Sequence, residues 1–367
     1  MRVVIAGQMP PPVGGQNLNI KRLYEMLLDD DELIVDHWKF DFTKEVSNFR
    51  KFNFGKVWSL FYVIGRLFRL RAQGPIDVII YPSGGPHTIP IIRDILILPF
   101  ATALSNRVWC HFHAGAISER ISSLPRWMSW GIKLVHKGCR GGIVLTRFGM
   151  ADAEALNLRE VEVIPIGVED RASESVREKE NDIKTILYVG HLREDKGTDI
   201  LIRAFAKVYK EYSRYRLRLV GECSSEKLAA SIHDVINETG CSQAIELVGL
   251  LEGPELDRVY EEADLFVFPS YAPSESYGMV LVEAMMHGLP VVAADWRAAR
   301  EVLGSGQGSI CYSIGSNHQT SLENALNEAL SQSSSWPAWG CINRDIYKKH
   351  YTLEIYREQI KALITRS

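Results

Sequence analysis

The sequence predicts an α/β protein of two doubly wound domains, each built on a parallel sheet. Short β-branched strands alternate with segments of helical length along the 367 residues, as expected for repeated βαβ units. The chain is longer than a single core usually supports. Its charge is also divided: residues 1–168 hold 20 Lys and Arg against 15 Asp and Glu, and the remainder holds 22 against 30. We therefore expect two units with different partners.

Ten strands are predicted, five in each domain. They are residues 2–7, 76–82, 107–113, 141–146 and 161–166, and then 185–190, 216–221, 244–249, 264–269 and 290–295. The charged residues 169–184 between the two sets indicate a linker. Residues 343–366 carry apolar side chains at helical spacing and predict one final amphipathic helix. A ligand is expected in a cleft between the domains, at the carboxyl ends of the strands.

Several protein classes are disfavoured by missing patterns. The six cysteines form no CxxC pair, which argues against a disulfide framework and a zinc site. The first residues lack the basic and long apolar regions of a signal peptide, and no run approaches the ~18 apolar residues of a membrane span. We therefore expect a cytoplasmic protein. Neither GxGxxG nor GxxxxGK occurs, so a dinucleotide oxidoreductase is the least favoured enzyme class.

Two strand-to-helix loops have the composition of anion sites, because backbone N–H groups are free at a helix N-terminus. Residues 8–17 (QMPPPVGGQN) end in Gly14 and Gly15, where backbone can approach a ligand closely. Residues 190–199 (GHLREDKGTD) place Arg193 and Lys196 before a helix that Thr198 could cap. An ordinary turn and a solvated charged loop are the competing interpretations.

A third segment, SESYGMVLVE (274–283), sets two glutamates in mostly apolar chain. A helix is expected to begin near Gly278, which leaves Glu275 in a loop and Glu283 on a buried helix without Lys or Arg one turn away. A buried carboxylate is costly unless it is paired. A ribose diol could satisfy Glu283, and sugar hydroxyls could donate to Glu275. A pair of surface glutamates is the alternative.

Four segments in this order resemble family 4 retaining glycosyltransferases. The family's E-x7-E signature region resembles the segment PSYAPSESYGMVLVEAMMHGLPVV, which begins at Pro269. Its basic diphosphate loop resembles YVGHLREDKGTDILIRAF. VIAGQMPPPVGGQ resembles its N-terminal glycine loop, and HFHAG (111–115) its catalytic histidine segment. The resemblance covers residues 1 to about 303. It implies the GT-B fold, with an acceptor-binding domain of residues 1–168 plus 347–367 and a donor-binding domain of residues 169–346.

The resemblance also implies roles for individual residues. Catalysis would involve His113, Arg193, Lys196 and Glu275. The donor nucleotide sugar would be held by Gly15, Gly190, Arg193, Lys196, Gly249, Leu250, Glu275, Tyr277, Gly278, Met279 and Glu283. Within this set, Glu275 would bind donor-sugar hydroxyls, Glu283 the ribose, and Lys196 with Arg193 the leaving diphosphate. No metal and no cofactor are expected, and the donor is expected to be a UDP-sugar such as UDP-glucose.

Two positions depart from the family pattern. His191 stands where the family often has arginine, so Arg193 is the substitute cation that we predict. The usual PNGV segment reads PIGV at residues 165–168. The expected acceptor is a saccharide or lipid-linked saccharide in polysaccharide, exopolysaccharide or glycolipid synthesis, and no nucleic-acid partner is expected. A nucleotide-sugar epimerase of the same fold and an inactive binding subunit remain as alternatives.

The first domain also has a basic, aromatic character. Residues 49–71 hold six Lys and Arg and no acid, with Phe, Trp and Tyr between them, and residues 126–140 add Trp127, Trp130 and further cations. Such helices lie on anionic membranes in peripheral proteins. Core-packed helices whose cations reach to solvent are an equally weighted alternative. His87, in a loop, is a further candidate for the acceptor side.

Overall fold

The computed structural model describes residues 1–11, 14–40, 54–173, 183–223, 225–304 and 306–366, with only the backbone for 54–57. These residues form two compact units: unit 1 comprises Met1–Ile166 and Leu353–Ser367, and unit 2 comprises Gly167–Thr352. The sequence prediction places the corresponding boundaries after residues 168 and 346. Part of the predicted linker (174–182), Pro12 and Val13 of the glycine loop, and residues 49–53 of the basic stretch lie outside the described residues.

Unit 1 contains a six-stranded parallel sheet in the order β2-β1-β3-β4-β5-β6. Its strands are β1 (Arg2–Gly7), β2 (Ile34–Lys39), β3 (Val78–Ser83), β4 (Val108–Phe112), β5 (Gly141–Val144) and β6 (Glu160–Val163). Its helices are α1 (Gly15–Leu28), α2 (Phe54–Ala72), α3 (Thr88–Leu104), α4 (Ile117–Ser122), α5 (Arg126–Lys137), α6 (Met150–Ala155) and α14 (Leu353–Thr365).

Helices cover both faces of this sheet, which is why the central strand VIIYPS of β3 is buried along its whole length. On one face α2, α3 and α5 contribute Val63, Leu67, Ile97 and Ile132 to a common core. On the other face α1 and α14 pack together over the sheet. Because α14 fills this second face, the end of the chain completes unit 1.

Unit 2 contains a second parallel six-stranded sheet, in the order β12-β11-β10-β7-β8-β9. Its strands are β7 (Lys184–Val189), β8 (Tyr215–Val220), β9 (Ile245–Gly249), β10 (Leu265–Phe268), β11 (Val291–Ala294) and β12 (Ser309–Tyr312). Its helices are α7 (Thr198–Tyr209), α8 (Glu226–Thr239), α9 (Pro254–Glu262), α10 (Met279–Met286), α11 (Ala299–Val302), α12 (His318–Ser331) and α13 (Trp336–His350).

The structure adds two strands to the ten that the sequence predicts, and both lie at sheet edges. β2, with sequence IVDHWK, mixes charged and apolar residues, and β12, with sequence SICY, is short and only partly buried. Edge strands are paired on one side and are commonly short or charged. Their patterns are therefore weaker than those of the central strands.

The single final helix predicted over 343–366 is wrong, because the chain forms α13 and α14 with a break at Tyr351 and Thr352. The amide N–H of Val168 donates to the carbonyl of Tyr351 (2.9 Å), and Val168 and Thr352 form a parallel bridge. This pairing replaces helical hydrogen bonds at the point where the chain returns to unit 1. No helix in the described parts of the chain has the length and apolar character needed to cross a bilayer.

Candidate functional site

In unit 2, the loops that follow β7 and β10 meet at the carboxyl edge of the sheet, because these two strands are neighbours. Gly197 allows the close approach. It has a φ of +72°, and a Cβ at this position would lie 2.4 Å from the carbonyl oxygen of Pro269. The amide of Tyr271 also donates to the carbonyl of Asp195 (2.9 Å). The basic loop is therefore fixed against the end of β10.

This packing brings Lys196 to Glu275. The Nζ atom of Lys196 donates to Oε2 of Glu275 at 2.5 Å, and the hydroxyl of Ser270 donates to the same oxygen at 3.1 Å. Both charged side chains are mostly buried, with 21% and 16% of their surface exposed. The ammonium and the carboxylate thus form one partly desolvated group, in which charges interact more strongly than on the open surface.

Arg193, the predicted substitute cation, pairs within its own loop. Its guanidinium donates from Nε and Nη2 to the two carboxylate oxygens of Asp195. This hydrogen bonding raises the pKa of Arg193. The helix cap also differs from expectation: Gly197 is the N-cap of α7, and the Thr198 hydroxyl donates to the carbonyl of Arg193 (3.3 Å). Lys196 therefore pairs with Glu275, while the carboxylate of Asp195 neutralises the charge of Arg193.

The signature helix α10 begins at Met279. Its N-cap, Gly278, has φ +77° and ψ +65°, the left-handed conformation that favours glycine. Tyr277 is buried before the cap and packs edge-on against Tyr351. The first turn of α10 therefore follows directly after Glu275, with its free N–H groups on the same loop.

Glu283 lies on the partly buried side of α10, and its Oε2 accepts a hydrogen bond from the hydroxyl of Tyr260 on α9 (3.1 Å). The Tyr260 ring stacks on His287, with ring centroids 5.2 Å apart and planes 5° from parallel. Burial lowers the pKa of His287, which favours the neutral ring. Arg171 binds Asp257 through both carboxylate oxygens and lies in the field of Glu283.

The remaining predicted residues of unit 2 follow β7 and β9 at the same sheet edge, with β8 between these two strands. Gly190 follows β7, and its amide donates to the carbonyl of Val220, the last residue of β8 (2.9 Å). Gly249 ends β9 with φ +89°. Leu250 comes next, and its side chain is 54% exposed. An exposed apolar surface here suits a flat ring such as a base.

Gly15 and His113 lie in unit 1. Gly15 is the first residue of α1, and no described atom lies within 4 Å of a Cβ built on it. One turn later, Nδ2 of the buried Asn19 lies 3.4 Å from Nδ1 of His113. Burial lowers the pKa of His113 to about 3. His113 is therefore neutral near pH 7, and an Asn19 amide that donates to Nδ1 leaves the ring proton on Nε2.

The structure thus groups the predicted residues within each unit. One sheet edge in unit 2 carries Lys196, Glu275, the start of α10, Glu283 and the ends of β7 and β9. In unit 1, Gly15 and His113 lie at the carboxyl edge of the other sheet. Sequence reasoning missed four partners of these residues: Ser270, Tyr260, Asp195 and Asn19. Asp195 and Ser270 lie in segments that the sequence analysis singled out, the basic loop 190–199 and the segment that begins at Pro269, whereas Tyr260 and Asn19 lie in neither.

Residues 169–340, most of unit 2, match the family described as "Glycosyl transferases group 1". A D-inositol 3-phosphate glycosyltransferase from Corynebacterium aurimucosum is 35% identical over 114 residues, which are 30% of this chain and 27% of that protein. An uncharacterised glycosyltransferase from Methanocaldococcus jannaschii is 32% identical over 124 residues, 34% of this chain and 30% of that protein. The chain therefore aligns with less than a third of the length of these two relatives.

Solved structures match over nearly the full chain. Sucrose-phosphate synthase from Thermosynechococcus elongatus has a TM-score of 0.79 at 17% identity, covering 99% of this chain and 98% of that one. HepE from Anabaena, solved with UDP and glucose, has a TM-score of 0.73 at 17% identity over 100% of both chains. The predicted fold class is confirmed. The chain has the two Rossmann-like sheets of the GT-B fold, and its match to the group 1 glycosyl transferases over residues 169–340 supports a transferase of this class.

Proposed function

We propose that this chain is a retaining glycosyltransferase of family 4 that moves a hexose from a nucleotide-diphosphate sugar to a saccharide or lipid-linked acceptor. The observation that carries the proposal is the contact between Lys196 and Glu275 beside the start of α10. A cation, a carboxylate and the free amides of a helix N-terminus meet there at one sheet edge. They suit a diphosphate and a sugar held side by side.

Lys196 would stabilise the leaving group. Transfer breaks the bond between the anomeric carbon and the diphosphate oxygen, and negative charge develops on that oxygen. A fixed ammonium and the helix dipole of α10 stabilise this charge without reorganisation. The acceptor hydroxyl oxygen forms the new bond to the same carbon, and its proton goes to the leaving phosphate oxygen. Because attack and departure occur on the same face, this route retains the anomeric configuration.

Glu275 and Glu283 would position the donor. Glu275 would accept hydrogen bonds from hydroxyls of the hexose, with Ser270 and Lys196 fixing its other contacts. Glu283 would bind the ribose hydroxyls, held in place by Tyr260. Leu250 and Gly249 would bound the base, and the backbone from Tyr277 to Met279 would contact sugar and phosphate. Neutral His113, in unit 1, would contact the donor sugar and donate a hydrogen bond to it from Nε2.

Several neighbours support a UDP-sugar as the donor. HepE was solved with UDP-glucose as well as with UDP, and the pneumococcal O-GlcNAc transferase GtfA with UDP and GlcNAc. WaaG, another structural neighbour, is named for a role in lipopolysaccharide biosynthesis. We therefore propose UDP-glucose or a similar UDP-sugar as donor, and a polysaccharide or glycolipid as product. Lys196 and the α10 N-terminus supply the positive charge, so we propose that transfer needs no metal.

Titration calorimetry would test the donor site directly. UDP, GDP, ADP and NAD would each be titrated in EDTA into the wild-type chain, into Glu283→Ala and into the control Glu255→Ala, an exposed glutamate on α9. We expect UDP to bind the wild type and the control, and to bind Glu283→Ala at least tenfold more weakly. Binding of no nucleotide would reject the transferase, and binding of NAD alone would indicate an oxidoreductase.

Product analysis would separate the alternatives that share the fold. An epimerase converts the nucleotide sugar without any acceptor, whereas a transferase releases UDP in proportion to acceptor consumed. An inactive binding subunit would bind UDP but would neither convert the nucleotide sugar nor consume the acceptor. The anomeric proton coupling of the product would distinguish retention from inversion.

A further inference from the structure

Three helices on one face of the unit 1 sheet present large apolar side chains to solvent. We name this the α2–α3–α5 surface. Eleven of the seventeen exposed large apolar side chains in the described residues belong to it: Trp58, Phe61, Tyr62, Phe68, Ile89, Ile92, Leu96, Phe100, Trp127, Trp130 and Leu134. Single exposed apolar residues are normal on a protein surface, but such a concentration indicates an interaction site.

The exposed residues follow helical stripes. On α2 they stand at Trp58, Phe61, Tyr62 and Phe68, all on the side opposite the buried Val63 and Leu67. Each of these helices is therefore apolar on both sides, although only one side packs on the sheet. An ordinary surface helix has polar residues on its outer side.

The outer stripe of α3 is the most extreme, because it carries no charged side chain. Its exposed residues are Ile89, Ile92, Leu96, Pro99, Phe100 and Ala103. The one acid of α3, Asp94, is buried and accepts hydrogen bonds from Tyr81 and Arg93. The centre of the surface is thus uncharged.

The three stripes form one continuous area. Helix α3 packs against both α2 and α5. The rings of Phe68 on α2 and Phe100 on α3 are in edge contact, with centroids 6.2 Å apart. On the other side, a Cβ at Gly131 of α5 would lie 3.6 Å from Ile95 of α3, so these helices approach closely.

The charges that flank this apolar area have one sign. From residue 54 to residue 140 the sequence holds eleven Lys and Arg but only Asp77, Asp94 and Glu119 as acids. Helices α2 and α5 contain no acid at all. Exposed cations stand at the ends of the stripes, including Arg69 and Arg71 on α2 and Arg126 and Lys137 on α5.

We propose that the α2–α3–α5 surface docks on an anionic lipid bilayer. Exposed Trp and Tyr beside Lys and Arg are the side chains that favour the region between lipid headgroups and acyl chains. An uncharged centre suits the apolar layer, and flanking cations suit anionic headgroups. A second copy of this chain is a poorer match, because it would bring a surface of the same positive sign.

Vesicle flotation would test this proposal, using the full chain at about 0.1 M salt. Vesicles of phosphatidylcholine alone would be compared with vesicles that also contain phosphatidylglycerol. We expect the protein to float with the anionic vesicles at least tenfold more than with the neutral ones, and to be released as salt screens the charges. No donor and no acceptor are needed, so the result is independent of the proposed transfer reaction.

Two variants and a matched control would locate the contact. Trp127→Ser/Trp130→Ser removes apolar area, and Lys133→Gln/Lys137→Gln removes charge. We expect about tenfold weaker binding or more for the first, and about fivefold per cation for the second. The control, Leu28→Ser, removes a 49% exposed side chain from α1 on the opposite face of the sheet and should bind as the wild type does.

Fluorescence quenching would report insertion. Lipids brominated on their acyl chains should quench the wild type, and a Trp58→Phe/Trp127→Phe/Trp130→Phe variant should lose this quenching while its buried tryptophans remain. The proposal is overturned if the chain floats with no vesicle, if neutral and anionic vesicles bind equally, or if Leu28→Ser binds as weakly as the tryptophan variant. Sedimentation that shows a dimer, abolished by Trp127→Ser/Trp130→Ser, would assign the surface to a second copy instead.

Discussion

Lys196 donates to Glu275 across 79 residues of sequence, at a distance of 2.5 Å. The contact joins the loops after two neighbouring parallel strands, β7 and β10. In the structure Glu275 is the counter-ion of Lys196. A bound diphosphate would also pair with the ammonium of Lys196. The carboxylate of Glu275 would then be available to accept hydrogen bonds from sugar hydroxyls. On the proposed function, the two residues would therefore make opposite contributions to the binding of UDP alone.

Neutralising Lys196 and neutralising Glu275 should change UDP affinity in opposite directions. We expect Lys196→Met to weaken UDP binding by roughly 10- to 100-fold, since it removes a charge-assisted hydrogen bond. Glu275→Gln should preserve or strengthen UDP binding, because Lys196 loses its counter-ion, but should reduce kcat by about 100-fold. Calorimetry and initial rates would measure both, with the exposed Lys207→Gln as control. Equal losses of UDP affinity in the two variants would contradict this division of roles.

The hydroxyl of Tyr260 should matter to nucleotide binding because it holds Glu283. Tyr260→Phe keeps the ring that stacks on His287 and removes only the hydrogen bond to Glu283. We expect UDP affinity to fall about fivefold, the effect of one net hydrogen bond. Tyr215→Phe is the matched control, because the Tyr215 hydroxyl is buried with no hydrogen-bond partner among the described residues. An unchanged affinity in Tyr260→Phe would show that Glu283 needs no such support.

Gly15→Ala should separate stability from binding. The position is helical and no described atom lies near a Cβ built there, so alanine should raise the free energy of unfolding by about 0.4–1 kcal/mol. If Gly15 lies against the diphosphate, the added methyl group should nevertheless weaken donor binding. Gly197→Ala should instead lower the unfolding free energy by about 1–3 kcal/mol, because it combines φ +72° with a clash against Pro269. Undiminished donor binding in a stable Gly15→Ala chain would remove Gly15 from the site.

The burial of His113 should make the free energy of unfolding fall as the pH is lowered. Its pKa is about 3 in the folded chain, against 6.5 for an ordinary histidine, so between these values the unfolded chain binds a proton that the folded chain does not. Its contribution to stability is therefore complete above pH 6.5 and is lost as the pH falls, by at most ~1.4 kcal/mol per pH unit. Denaturation of wild type and His113→Gln from pH 7 to 4 should show a shallower pH dependence for the variant. The exposed His233→Gln is the control, and an equal effect of both variants would contradict the assignment.

Much of the architecture could be predicted from the sequence because central strands and long helices carry strong local patterns. Inner strands such as β3 and β10 are buried along their whole length, so nearly every residue in them must be apolar. Strands β2 and β12 lie at sheet edges and mix polar with apolar residues, so their patterns were not recognised. The other two edge strands, β6 and β9, were predicted although they are only partly buried. The break at Tyr351 escaped because it depends on Val168, which lies far away in the sequence.

The loops of the candidate site were visible in the sequence for a similar reason. Glycines, cations and glutamates at the ends of predicted strands are local features, and parallel strands bring their carboxyl ends to one edge. The partners of these residues were not visible. Tyr260 contacts Glu283 from another helix, and Asn19, which contacts His113, precedes it by 94 positions in the sequence.

By itself, then, the sequence determined the two α/β units, the loops that carry charge, and an abundance of aromatic residues and cations in the first unit. Only the tertiary structure decided that Lys196 pairs with Glu275 while Arg193 turns to Asp195, and which side of α2, α3 and α5 faces solvent. A helix that is apolar on both sides gives no periodic signal for its buried face. The sheet it covers selects that face, and the contacts that select it come from residues far apart in the chain.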